Sequence, residues 1–440
     1  MNQTRRVLIV SYFFPPAPTV AALRIARCWE QLPEFGWEPH VLTVKPAQDA
    51  AGLAMPGVNR TDYYSLFKHR GRRQPAGTAA PVARESLREA ALRSPLGKKA
   101  YFLLRHLLPM SSVRMPDATL GWYPYAVRAG EAMLRDQRFD AIWSSSGPPT
   151  SHIIAARLQA LSGVPWIADY RDLWSASYTD PRVAAFDRVE AQLERHVLRR
   201  AKAVTTVSEG LARYLRALHR LPTFVIYNGY DGENSPQVAP DNEFSICYTG
   251  SLYPHAQDVE PFFRALRNLR ERLPEFRVRV QFFGPELTWL NSIIDRHGLT
   301  GVVDCHPSQS HETVLLTQQT SAVLLLLGWR HSLGQPGVLP VKMFEYMSTG
   351  RPILEVGPPD SESAAILRRC NAGVTVQTPE EIEQVLVAWW SEHRKSGRLS
   401  WSPDWSEVRR FRRRTQTEEL ARVLDGALAA WGDHSNGGRA

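Results

Sequence analysis

Short apolar runs of five to seven residues alternate with amphipathic helical stretches along almost the whole chain, and this alternation limits the fold more than any other feature. In the first half the runs are 7–13 (VLIVSYF), 40–44, 139–145 (FDAIWSS), 165–170, 203–207 and 223–227. They are nearly continuous in apolar character, as strands covered on both faces must be. Helical stretches fall between them, including 20–35, closed by Gly36, and 183–200. Residues 228–243 (NGYDGENSPQVAPDNE) then read as a linker. The rhythm restarts with runs at 244–249, 277–283, 302–306, 322–327, 352–356 and 373–377, and a long helix is expected over about 406–431. The predicted class is α/β, with two Rossmann-like, doubly wound parallel sheets. The expected division is a first domain 1–228, interrupted by a basic insertion at about 46–116, a linker 229–243, a second domain 244–405, and a last helix with a disordered tail over 406–440. In such open sheets ligands bind beyond the carboxyl ends of the strands, so those loops are where chemistry is sought.

Charge is uneven along the chain. The formal net charge is +9. Residues 60–115 hold twelve Lys or Arg against three Asp or Glu, which accounts for the whole excess. A local excess suggests a local anionic partner. Within it, 96–108 (LGKKAYFLLRHLL) has helical spacing, with Lys98, Lys99 and Arg105 on one arc and leucines on the other. That pattern fits a helix lying on an anionic membrane surface, or equally a helix covering the core. No aromatic-interleaved nucleic-acid module is visible, and no nucleic-acid partner is expected. The four cysteines are widely spaced and form no C-x-x-C pair, as expected for reduced thiols in a cytoplasmic protein. The basic and then apolar start, cut short by Pro15-Pro16, reads as a buried first strand, and no stretch approaches the length of a membrane span.

Several familiar chemistries lack their anchors. The sequence has no G-x-x-x-x-G-K-[ST], no G-x-G-x-x-G and no G-x-S-x-G. His306, His311 and His331 lack the carboxylate spacing of a metal site, so no metal is expected. Four segments remain. Gly250-Ser251 ends the first strand of the second half, where a glycine lets backbone N–H groups approach an anion, or simply forms a turn. Gly337–Leu354 carries Lys342 and Glu345 one helical turn apart, with Pro340 at the start of that helix and Gly350 at its end. The ammonium can neutralise phosphate and the carboxylate can hold ribose hydroxyls; a surface ion pair is the plainer alternative. Asp169–Trp174 (DYRDLW) places Arg171 and Asp172 beyond a strand, either as a site or as a pair bracing a loop. His152 follows Ser146-Gly147-Pro148-Pro149 and is expected in a first helical turn near the cleft. Arg409–Arg414 (RRFRRR) reads as a solvated helical face.

Taken in order, VLIVSYFFPP with Arg24, LPEFGWEPHVLT, FDAIWSSSGPPTSH, GVPWIADYRDLW, AVTTVSEGLARYL, VIYNGYD, CYTGSLY and PVKMFEYMSTGRPIL resemble the retaining GT-B glycosyltransferases of family four, especially bacterial surface-polysaccharide enzymes. The resemblance implies two domains facing a central cleft, with the last helix crossing back to the first domain. It implies a nucleotide-diphosphate sugar as donor substrate, UDP favoured, with no separate cofactor. The acceptor would be a hydroxyl of a glycan or a lipid-linked carrier, at the cytoplasmic face of the membrane. On the donor side it implies Gly250, Ser251, Gly337, Val338 and Leu339 near the sugar diphosphate, Lys342 on the diphosphate and Glu345 on the ribose. The catalytic candidates are Lys342, His152 and Asp172, and the acceptor-side candidates are Arg24, His152, Arg171 and Asp172. Three positions depart from the family's usual pattern: Gly337 stands where a glutamate is common, Ala17–Ala22 where the first loop is often glycine-rich, and Gln257 where a basic residue is common. A non-catalytic nucleotide-sugar or glycan-binding scaffold, or an epimerase on the same fold, would fit the same segments.

Overall fold

In the computed structural model the described residues are 4–46, 54–64, 116–176, 184–232, 243–254, 256–285, 287–329 and 337–436. Lys98, Lys99 and Arg105, and with them the amphipathic stretch 96–108, lie outside the described residues. Contacts divide the chain into two units: Met1–Val207 with Leu211–Ile226 and Thr417–Ala440, and Ser208–Gly210 with Tyr227–Gln416.

The first unit is built on a parallel sheet of β1 (Arg5–Ser11), β2 (Trp37–Val44), β3 (Val58–Thr61), β4 (Ala141–Ser145), β5 (Trp166–Tyr170), β6 (Ala203–Thr206) and β7 (Thr223–Val225). Their order is β3-β2-β1-β4-β5-β6-β7, so the direction of winding reverses between β1 and β4. Both faces are covered, and β1 shows how. Leu8 and Val10 pack with Trp122, Ile154 and Trp166 on one side, while Val7 and Ile9 pack with Ile25, Trp37 and Leu424 on the other. Among the described residues the helices of this part of the chain are α1 (Val20–Gln31), α2 (Tyr123–Asp136), α3 (Thr150–Ser162), α4 (Ala184–Leu198) and α5 (Glu209–His219). Thr19 caps α1, and a 3₁₀ turn over Leu32–Phe35 ends on Gly36 at φ 80°, in the left-handed region that favours glycine.

The second unit repeats the plan with β8 (Ser245–Thr249), β9 (Arg279–Phe283), β10 (Val303–His306), β11 (Val323–Leu327), β12 (Ile353–Val356) and β13 (Gly373–Val376). The order β10-β9-β8-β11-β12-β13 places the reversal between β8 and β11. Its helices are α6 (Glu260–Arg272), α7 (Thr288–Arg296), α8 (His311–Thr320), α9 (Val341–Thr349), α10 (Glu362–Arg369) and α11 (Pro379–Ser396). No helix among the described residues is long and apolar enough to cross a membrane.

Two expectations are corrected. Strand β3 lies inside the stretch read as an interruption; VNRT has a single apolar residue, as suits an edge strand that must not recruit partners. The expected single helix over 406–431 is instead a short α12 (Trp405–Val408), a 3₁₀ turn and a separate α13 (Arg413–Asn436). The break falls where Arg412 is extended and bridges Tyr230: Tyr230 N–H donates to Phe411 O at 3.1 Å and Arg413 N–H to Tyr230 O at 2.9 Å. From Thr417 onward α13 belongs to the first unit, where Leu420 and Leu424 enter the core and Asp425 accepts from Trp37 Nε1 at 2.9 Å.

Candidate functional site

Four of the residues singled out from sequence, Gly250, Ser251, Lys342 and Glu345, converge in the second unit, at the carboxyl end of β8 and at the start of α9. β8 ends on Thr249, whose N–H donates to the buried Tyr346 hydroxyl at 2.7 Å and whose Oγ1 accepts from Gln318 at 2.9 Å. The chain then turns at Gly250, with φ 98° and its N–H donating to Phe283 O at 2.7 Å. A Cβ at Gly250 would sit 3.2 Å from Lys342 Nζ, so the glycine makes room for that ammonium as well as for the turn. Gly284 serves the same approach, since a Cβ there would fall 2.4 Å from Gly250 O.

Helix α9 begins after the extended Pro340 and ends on Gly350 at φ 73°, as its sequence predicts. Its first turn carries Lys342, whose Nζ lies 3.8 Å from the centroid of the Tyr248 ring and 3.4 Å from Ser251 O. Burial pulls the Lys342 pKa down from 10.5 to about 7, against the pull of Glu345 in the other direction. One turn on, burial raises the Glu345 carboxyl above its usual range, although Arg413, His311 and Lys342 oppose the shift. Lysine, glutamate and helix N-terminus therefore stand together over a glycine turn. This arrangement suits an anion that brings charge for the lysine and hydroxyls for the carboxylate.

Gly337 is strained for any other residue: φ is 79°, and a Cβ would lie 2.7 Å from Gly210 Cα and 3.0 Å from Glu362 Oε2. Val338 is half-buried and Leu339 is buried. Gln257 is a structural residue, accepting from Tyr253 N–H at 3.1 Å and donating to Leu327 O at 2.8 Å. It thereby ties the loop after β8 to the end of β11.

Sequence reasoning missed several members of this cluster. Arg413, read as part of a solvated face, is buried; it donates to Asn228 O at 3.2 Å and pairs with Asp231. The alternation of Phe411 and Arg413 around the extended Arg412 was the available sign. Tyr248 and Tyr346, read only as strand and helix apolar positions, supply the ring under Lys342 and the hydroxyl that receives Thr249 N–H. Tyr253 and Trp329 form an aromatic pair with centroids 5.4 Å apart, beyond the ends of β8 and β11.

In the first unit the candidates separate. Arg24 and Asp169 form a buried ion pair at 3.1 Å, and Asp169 also accepts from Ser145 and Thr205 hydroxyls at 2.9 Å each. This pair is a brace inside the sheet end. Arg171 clamps the turn after β4, donating to Ser146 O and Gly147 O at 2.9 Å each. Asp172 is exposed beside it. His152 does not stand near open solvent: it is fully buried, bonded through Nδ1 to Ser144 Oγ at 2.7 Å, with its ring tilted against Tyr170 at 4.8 Å between centroids. Burial drives its pKa down from 6.5 to about 3, so the ring is neutral. Helix α3 turns this first-turn histidine inward onto β4 and β5.

Residues 19–229 match the model of the glycosyl transferase 4-like domain. No curated protein sequence matches the chain. Among solved structures, sucrose-phosphate synthase from Thermosynechococcus elongatus is similar over 98% of both chains, at 13% identity and a TM-score of 0.56. HepE of Anabaena, solved with UDP and glucose, is similar over 96% of this chain and 100% of its own, at 14% identity and 0.58. A glycosyltransferase from Rickettsia africae is similar over 97% and 99%, at 10% identity and 0.57. These likenesses establish the GT-B fold.

Proposed function

We propose that this chain, whose residues 19–229 match the glycosyl transferase 4-like domain and whose fold is GT-B, is a glycosyltransferase that moves a sugar from a nucleoside-diphosphate donor to a hydroxyl, with retention of anomeric configuration. The observation that carries the reading is the placement of Lys342 over the Gly250 turn, with Glu345 one helical turn behind it. Breaking the bond from the anomeric carbon to the diphosphate leaves positive character on the sugar and a growing negative charge on the leaving oxygen. Lys342 and the free N–H groups at the start of α9 are fixed in advance where they can meet that charge, which is the kind of term that dominates such catalysis. Glu345, next along the same helix, can accept from the ribose hydroxyls and so set the register of the diphosphate. The leaving phosphate can itself take the proton of the attacking hydroxyl, so no side-chain base is invoked. Uridine is the favoured base, in keeping with the UDP and UDP-glucose held by HepE. The favoured acceptor is a glycan or lipid-linked hydroxyl, because the excess positive charge is confined to residues 60–115.

Thermal unfolding with UDP, GDP, ADP and their sugars tests this. At a ligand concentration one hundred times Kd the stabilisation is about 2.7 kcal/mol, worth several degrees in Tm. One nucleotide should stabilise the parent protein and not Glu345→Ala. Equal stabilisation of both would remove Glu345 from the site. Donor-dependent transfer to a hydroxyl, lost in Glu345→Ala, separates an enzyme from a scaffold that only binds.

A further inference from the structure

A cavity of about 390 Å³ lies in the first unit, between the last turns of α4 and α5. We propose that it is a second anion site, built to take a phosphate group carried on a partly apolar body. Arg195, Arg199, Arg220 and His219 line it, with Leu198 and Leu221 beside them. Its position separates it from any chemistry at the strands' carboxyl ends. Helix α4 leads into β6 and α5 into β7, so their last turns stand at the amino ends of the strands.

The charge arrangement is what asks for a ligand. Arg195 and Arg199 are four apart across the end of α4, where Arg199 N–H still donates to Arg195 O at 3.2 Å, the spacing at which like charges repel. Arg220, the residue after α5, adds a third guanidinium in a left-handed backbone conformation (φ 55°) that usually goes to glycine or asparagine at a helix end. Cations at helix ends do complement the dipole, but the dipole requires neither three of them nor a cavity between them. Among the described residues neither Arg195 nor Arg220 has a carboxylate partner, while Arg199 donates to His196 Nδ1 at 3.0 Å. The carboxylate that approaches, Glu194, stands behind His219 and is occupied: it receives the Tyr170 hydroxyl at 2.9 Å, Ser175 N–H at 3.0 Å and faces His219 Nε2 at 3.2 Å. Three exposed guanidinium groups from the ends of α4 and α5 thus line one space, the kind of fork that suits a phosphate's oxygens. The leucines give the rest of the ligand an apolar seat.

The full chain carrying Lys342→Met, which silences the lysine of the second unit, is titrated calorimetrically with inorganic phosphate. It is titrated separately with phosphatidic acid vesicles in a phosphatidylcholine background. Replacing Arg195 and Arg220 together by Gln should weaken binding at least about tenfold, as expected when charge-assisted bonds are removed. The charge-matched pair Arg128→Gln and Arg157→Gln, on exposed faces of α2 and α3, should leave binding unchanged. Sensitivity to the Arg195 and Arg220 pair with inorganic phosphate supports a soluble phosphorylated ligand, and the same sensitivity seen only with vesicles supports a lipid headgroup. Binding of neither probe, or equal loss in the control pair, overturns the proposal. None of these outcomes depends on whether the second unit binds a donor.

Discussion

Donor binding should take up a proton, and Lys342 makes the amount calculable. In the free protein burial holds this lysine near pKa 7 instead of 10.5, even though Glu345 and the Tyr248 face both favour the ammonium. A diphosphate at the Gly250 turn would place two negative groups beside it and return the pKa toward its ordinary value. At pH 8 a group of pKa 7 is about 0.9 neutral, and at pH 7 about 0.5 neutral. The sign follows directly: the complex binds more protons than the free protein between pH 7 and 10.5, so affinity falls as pH rises through 7, by about tenfold per pH unit. A phosphate's own second ionisation lies near 6 and is complete across this window. Titration of UDP in buffers of different ionisation enthalpy measures the uptake. The expected values are about half a proton at pH 7 and about 0.9 at pH 8. Lys342→Arg keeps the charge on a group that stays protonated, so it should bind UDP with almost no uptake. Uptake that is flat from pH 7 to 9, or the same in Lys342→Arg, would refute both the burial of the amine and its contact with the diphosphate.

Three further outcomes follow from single contacts. Asp169→Ala removes the carboxylate of the buried Arg24–Asp169 pair, so urea unfolding should show a loss of about 3–5 kcal/mol; a loss below about 1 kcal/mol would mean the pair is solvated. Gly284→Ala drives a Cβ against Gly250 O, so UDP affinity should fall by about 10²-fold, the cost of misplacing a site by an ångström, while the circular dichroism of the fold is kept; unchanged affinity would detach the Gly250 turn from the donor. His152 stays neutral in the native state down to about pH 3, whereas the unfolded chain protonates it below 6.5. The unfolded state thus binds more protons in that interval, and His152 removes about 1.4 kcal/mol of stability per pH unit as pH falls through it. His152→Gln should flatten that part of the stability–pH curve, and an unaltered slope would show that the ring reaches water.

What was legible in the sequence divides along a physical line. Strands buried on both faces advertise themselves, because each residue of VLIVS is apolar or small whichever way it points, and so most strands of both sheets could be read. The edge strand β3 could not, since an edge is kept polar to avoid pairing and VNRT looks like a loop. In the site, Lys342 and Glu345 were visible because one helix carries both and spacing alone puts them on one face. Arg413 and Tyr248 join them from other elements, and no periodicity within a segment encodes a partner more than sixty residues away in sequence. The misplacement of His152 has the same root. A histidine in a first helical turn faces a site or the core according to which way the helix is rolled, and here α3 is rolled so that Ser144 and Tyr170 receive it. Arg24 and Asp169 complete the argument. Arg24 reads from sequence as an acceptor-side candidate, yet its partner Asp169, at the end of β5, has no exposure and its oxygens are engaged by Arg24 and two hydroxyls. Lys342 differs from them in one respect: its amine meets an aromatic face and a backbone carbonyl, with no carboxylate bonded to it, and that leaves its charge available to a ligand.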